Sequence, residues 1–373
     1  EKVTSRMLVC RVGPGAAAHV EGSSEQETSG LSSNEFDLEE LLDLRNKLML
    51  TEVPPELAAV ENFEEMIARY VEQLRVLSEM KDTIYTLYWA GHFNYQDSFE
   101  KELSASAPVA ELEAEALELY NISEEWKKTV AQMRRAYYFL NFFNMRQILL
   151  LVKYLDRFQA KAEEDARALE MLKGLLRLIC RVDMDTLVVI VSSWSSFELN
   201  SPEERLDALG KLLDSTFRGL APDRRTIPPQ NFEFIHALFD ARERIEEVGM
   251  PVALCTAGGT ERVIDVVLSI YASRGRLPEP EELLLCDSHT EFEDMQILLY
   301  RWISARQNNR GDRIFCIGNV DMLTYTAQCR FVDELRAVLE LHEMPPSVLV
   351  LVSGLSRGQH LLTALSRCVV EGR

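Results

Sequence analysis

Gly354-Leu355-Ser356-Arg357-Gly358 has the spacing glycine–x–serine–x–glycine; it follows an apolar run and precedes a helical run at 360–365. In hydrolases of α/β architecture such a turn lifts a serine hydroxyl above the sheet, beside backbone N–H donors that stabilise an oxyanion. The same chemistry needs an acid and then a histidine further along, to orient and deprotonate the serine. Only residues 359–373 follow, and there His360 precedes Glu371. Ser356 is thus the one catalytic candidate, as a hydrolase nucleophile. The bland expectation beside it is an ordinary strand-to-helix turn with an inert serine.

A second set of reactive types sits at the ends of apolar runs. Cys255 and Cys286 each end one, and His289 follows Cys286 closely with Asp287 between. A thiol beside an imidazole is a nucleophile pair, but no third orienting group is evident, so buried cysteines and a solvent-facing turn are expected. Asp321, after a third run, stands where an acid could hold a magnesium ion. The turn at Cys255-Thr256-Ala257-Gly258-Gly259-Thr260-Glu261 has two glycines but fits neither G-x-x-x-x-G-K-[ST] nor G-x-G-x-x-G. No lysine is placed to reach a phosphate. Asp321 is therefore expected to cap a helix, and no cofactor-binding residue is assigned.

The elements that would position these groups are read from hydropathy. Four short apolar runs, at 252–256, 283–286, 314–317 and 348–352, alternate with three helical segments. That alternation predicts βαβ units on a parallel sheet, whose carboxyl end is the usual ligand site. Upstream, apolar positions Leu57, Val60, Phe63, Ile67, Tyr70, Leu74, Leu77, Met80 and Ile84 recur at helical spacing. Further helices are expected at 109–120, 123–159, 163–179, 186–193 and 232–247. One more opens at Ser201-Pro202-Glu203-Glu204 with N-cap, first-turn proline and capping glutamate, and runs to Phe217. Thr290 and Glu293 suggest a capping box, and Gly275 a helix C-terminus.

The fold class is therefore mainly α with a C-terminal α/β part: a helical array followed by a small parallel-sheet domain lacking a phosphate loop. The expected organisation is a flexible terminus over 1–35, a helical array over 36–218, a connecting loop and helix over 219–249, and the α/β domain over 250–373. Residues 93–108 read as a polar stretch.

With 40 Lys and Arg against 60 Asp and Glu, the formal net charge is −20. Nucleic acid is excluded as a main partner, since phosphate binding needs clustered cations. The seven cysteines are odd in number and contain no C-x-x-C, which fits free thiols in a reducing compartment. The six histidines show no H-E-x-x-H spacing, so no metal site is assigned. The dense apolar stretch 136–155 is interrupted by Asn141, Asn144, Arg146, Gln147 and Lys153, which argues for a buried helix and against a transmembrane segment.

Four segments carry a resemblance: LLLCDSHTEFEDMQILLYRW at 283–302, GDRIFCIGNVDMLTY at 311–325, YFLNFFNMRQ at 138–147 and LRVLSEM at 74–80. Together, collinear over most of 36–355, they resemble the mysterin family of giant RING-type E3 ubiquitin ligases with a dynein-like AAA+ core. The resemblance implies a linker-like stretch just before the first AAA unit, packing against that core as its intramolecular partner. It places ATP, magnesium and zinc elsewhere in the longer protein. It also implies a cytoplasmic location with lipid-droplet association. No catalytic residue of the family falls in the matching segments. Three readings follow: a non-catalytic linker or scaffold of such a ligase, a serine hydrolase using Ser356, or an acidic helical module that recruits a protein partner.

Overall fold

The computed structural model describes residues 8–12, 34–50, 63–96, 99–103, 108–160, 166–180, 182–194, 201–218, 252–272, 275–341, 347–355, 360–365 and 369–370. Ser356, the connecting segment 219–249 and most of the expected loop over 11–35 lie outside them. The chain divides into two units, Glu1–Val130 and Ala131–Arg373. The division falls inside the stretch expected to be a single helical array.

In the first unit, α1 (Leu38–Leu50) packs on α2 (Phe63–Trp89). Leu38 and Leu41 join Leu74, Leu77, Met80, Ile84 and Leu87 in burial, so the period read from the sequence marks the core face of α2. Trp126, on α3 (Val109–Ala136), is buried and donates to the Ala90 carbonyl at 2.8 Å. Trp89 is exposed instead.

Two expectations for this unit are corrected. The terminus expected to be flexible contains β1 (Leu8–Val12), and the polar stretch contains β3 (Phe99–Leu103). With β2 (Asn34–Asp37) they form a sheet ordered β2-β1-β3, antiparallel at β1–β2 and parallel at β1–β3. Leu8, Val9 and Val12 favour extended backbone, but their partners lie far along the chain, and FEKEL is too charged to read as a strand.

The second unit starts with the last turn of α3. The expected break near 121–122 does not occur, and the expected continuous helix over 123–159 is interrupted by a 3-10 turn at Tyr138–Phe142. Asn141 caps what precedes it, its Nδ2 donating to the Arg134 carbonyl at 2.7 Å. Asn144 and Gln147 then cap each other's backbone N–H (3.0 and 2.9 Å) and start α4 (Met145–Ala160). That reciprocal pair is an Asn–Gln form of the capping box. α5 (Ala166–Leu176), α6 (Met184–Ser193) and α7 (Pro202–Phe217) follow. Ser201 and Glu204 form the expected capping box, with Pro202 in the first turn.

The α/β part holds β4 (Val252–Thr256), α8 (Val263–Ala272), β5 (Leu283–Leu285), α9 (Phe292–Ser304), β6 (Phe315–Gly318), α10 (Tyr325–Leu341), β7 (Leu349–Ser353), the short α11 (His360–Ala364) and β8 (Val369–Val370). All pairings are parallel and the order is β5-β6-β7-β4-β8. β8 adds a fifth strand to the four expected. The β4-to-β5 connection crosses the sheet one way and the later ones return. Right-handed crossovers must then place α8 alone on one face. The two cores show this: Val263, Val267, Ile270 and Tyr271 cover Cys255, Cys316 and Val352, while α9, α10 and α11 cover Val252, Leu254, Phe315, Ile317 and Leu351. Gly275, at φ +68°, ends the α8 segment as expected. The Thr290–Glu293 box is corrected by one residue. Glu291 and Asp294 cap α9, and Glu293 turns to another task.

Candidate functional site

In a sheet of this order the ligand crevice opens beyond β4 and β7, whose onward connections leave on opposite faces. Here the crevice is closed. The Ala257 N–H, first donor of the turn after β4, is spent on the Ser353 carbonyl at 2.8 Å. Gly258 takes the left-handed φ of +76° that the tight turn needs. A Cβ on Gly259 would meet the Glu261 side chain, with Cδ at 2.8 Å, so a carboxylate lies folded against the turn where a phosphate cradle presents positive groups. On the other wall, a Cβ on Gly354 would stand 2.7 Å from the Thr260 Cα. The β7 loop is thus seated directly on the β4 turn.

Asp321 completes the seal. Its Oδ1 accepts the Gly354 N–H at 2.7 Å, with the Ser353 hydroxyl at 3.5 Å. It lies in the 3-10 turn Val320–Met322, so the expected helix cap is corrected to a clamp between the ends of β6 and β7. A carboxylate accepting a backbone N–H contributes about 1.5–3 kcal/mol. Ser353 Oγ also bonds the Leu355 carbonyl at 2.7 Å, holding the first residues of the serine turn. Sequence reasoning missed Glu261 and Gly354. The available signal was an acidic residue just past Gly-Gly-Thr, where phosphate loops carry a lysine.

The thiols are placed apart. Cys255 lies in the core under α8 and Cys286 in the core on the opposite face. Burial pushes each thiol up to about 12. His289 is exposed, and its backbone N–H donates to Asp287 Oδ1 at 2.8 Å. The geometry brings no Cys–His pair together. A thiol held protonated in the fold but free to ionise near 9 when unfolded stabilises the fold below pH 9. That contribution is lost as pH rises from 9 towards 12. Native chain at pH 8 is therefore expected to leave both thiols unalkylated by iodoacetamide, with labelling only in denaturant. Rapid native labelling of either, read by peptide mass, would contradict the placement.

The groups that do converge lie around the 3-10 turn 138–142. Arg134, buried, donates to the Leu140 and Phe143 carbonyls at 3.0 Å each and to Glu293 at 2.5 Å. Glu293 also accepts the Met145 N–H at 3.0 Å. Burial raises the Glu293 carboxyl above its ordinary range, and Arg134 partly offsets this. From the helical side, Asp214 of α7 accepts the Phe139 N–H at 3.2 Å, and the Tyr137 hydroxyl donates to Asp207 at 2.5 Å. Phe139 packs on Phe217, and the Arg310 guanidinium lies 5.6–5.9 Å from the rings of Tyr138, Phe139 and Phe142. The turn is an aromatic wedge gripped by helices on one side and by the α/β layer on the other. These contacts join residues up to 172 positions apart, from Tyr138 to Arg310.

Fold and site define an α/β module of the nucleotide-binding layout with an altered phosphate turn, packed through the 138–142 turn against a helical layer. The family description "RNF213 AAA domain" matches residues 254–370. The chain is also similar to E3 ubiquitin-protein ligase RNF213 of Mus musculus, 23% identical over 339 residues, and of Homo sapiens, 23% over 348 residues. These alignments cover 79% and 81% of this chain. The chain therefore resembles the RNF213, or mysterin, family, over its α/β part by the family description and over most of its length by the two relatives. It spans about 6% of the length of those relatives. The matched AAA description falls on the α/β part itself.

Proposed function

We propose that this chain is a non-catalytic scaffold of an RNF213-like E3 ubiquitin ligase, coupling a helical layer to the ligase's AAA+ core. The observation that carries the reading is the closed turn after β4. It has no lysine, its Ala257 N–H is committed to Ser353, and the Glu261 carboxylate lies against Gly259. Anion binding at such a turn depends on free N–H donors and positive charge, and both are replaced. The aromatic wedge supports the coupling role, because movement of the α/β layer must carry the helices with it. On this reading ubiquitin transfer, ATP hydrolysis, magnesium and zinc belong to other parts of the longer protein, and the rest of its AAA+ core is the partner. A cytoplasmic setting is supported by the free thiols Cys180, Cys255, Cys286, Cys316 and Cys329. Among the described residues no helix is long and apolar enough to cross a membrane.

Calorimetric titration of the 373-residue chain with Mg-ATP tests the proposal. The expected result is no saturable heat, meaning affinity weaker than about 1 mM. Saturable binding that Gly259→Asp removes would overturn it.

A further inference from the structure

The amino ends of β5 and β6, at the opposite end of the sheet from the closed turn, carry an imbalance of buried charge. Arg276, Arg310 and Arg313 face Glu281 and Glu282 there: Arg313 bonds Glu281 at 2.7 Å and Glu282 at 3.1 Å, Arg276 bonds Glu282 at 2.8 Å, and Arg310 bonds Glu281. Arg134 has Glu293. Among the described residues Arg301 forms no ion pair with a carboxylate. It is 7% exposed, its guanidinium lies 5.5 Å from the Phe142 ring, and Tyr138 and Glu281 act on its charge only from beyond bonding distance.

Arginine cannot shed its proton to escape burial. An uncompensated buried charge costs enough that folded proteins normally pair it. Among the described residues the unpaired buried atoms are mostly donors. Arg134 Nε, Arg276 Nη2, Arg301 Nε, Arg313 Nε and Nη2, and the Tyr138 hydroxyl lack an acceptor, against two unpaired acceptors, Asn141 Oδ1 in the same turn and Asn319 Oδ1 beyond the carboxyl end of β6. Tyr138 is 3% exposed and feels Glu281, Arg310, Arg301 and Arg313 together, which places it at the centre of the group. Donors in excess and two positive charges in excess call for the same thing, an acceptor bearing negative charge.

We infer that Arg301, Arg313 and Tyr138 form a site for a phosphate-class oxyanion, either inorganic phosphate or a phosphate monoester. Guanidinium forks match the tetrahedral oxygens, and the phenol supplies a further donor. Arg301 and Arg310 keep a small solvent-facing edge, which is the approach to the site. Occupancy would complete the cluster that holds the aromatic wedge against the α/β layer.

Thermal melting of the 373-residue chain, in chloride buffer of fixed ionic strength, tests the site with inorganic phosphate and, separately, glycerol phosphate. A rise of roughly 5 °C, growing with the logarithm of probe concentration, is expected once either probe exceeds its dissociation constant about a hundredfold. Arg301→Met should abolish the rise and, without phosphate, melt no lower than the unsubstituted chain, because it removes an uncompensated charge. Tyr138→Phe should fold and show a reduced rise, which keeps the test decisive if Arg301→Met does not fold. A rise that only grows linearly with salt, as excluded-ion stabilisation does, would overturn the site. So would a logarithmic rise that survives both substitutions.

Discussion

Glu293→Ala is expected to lower the unfolding free energy by about 3–5 kcal/mol, the usual cost of breaking a buried ion pair from one side. The carboxylate serves two donors on the helical side, Arg134 at 2.5 Å and the Met145 N–H at 3.0 Å. Without it, Arg134 keeps the Leu140 and Phe143 carbonyls but no counter-charge. The retained carbonyls favour the lower half of that range. Glu293→Gln should cost less, because an amide oxygen still accepts from both. Urea denaturation reads the effect as a fall in midpoint; an unchanged slope would show that the surface exposed on unfolding is the same. A loss under about 0.5 kcal/mol, typical of exposed ion pairs, would mean the pair is ornamental.

Gly354→Ala should cost about 2 kcal/mol, as overpacking does where the obstacle cannot move. A methyl there meets the Thr260 Cα at 2.7 Å and the Thr260 N at 2.9 Å, which are backbone atoms. Relief requires the β7 loop to lift from the β4 turn, which also strains the 2.7 Å bond from Gly354 N–H to Asp321. Gly174→Ala on α5 is the matched control. Nothing lies within 4 Å of the added methyl, so helix propensity alone acts and a gain of about 0.5–1 kcal/mol is expected. Parallel denaturation curves of the two variants check the contrast. Equal effects would show that the seal is loose.

The sheet was legible because β4, β6 and β7 are buried on both faces and so read as continuous apolar runs. The start of α7 was legible because Ser201, Pro202 and Glu204 act within one turn. What stayed hidden depends on partners distant in the chain. β1 is a strand because 34–37 and 99–103 flank it, and neither segment announces itself. Glu293 looks like a capping residue three positions after Thr290, but Arg134 competes for it and the cap shifts to Glu291 and Asp294. The break at 138–142 was masked by its own apolarity: five buried residues read as helix interior until Asn141, Asn144 and Gln147 are seen as caps. At the candidate site, the missing lysine was visible from the residue types. The closure was not, since it rests on Gly354 and Asp321 meeting a turn formed far upstream.

Native-state amide hydrogen exchange on the 373-residue chain, with and without Mg-ATP, tests the scaffold account most directly. The account predicts that amides of α7 and of β6 open with one shared free energy, and that Glu293→Ala lowers both together. It also predicts that Mg-ATP leaves the amides of 256–261 and 353–355 unprotected beyond their free state. Independent opening of α7 and β6, or nucleotide-dependent protection of those two loops, would contradict it.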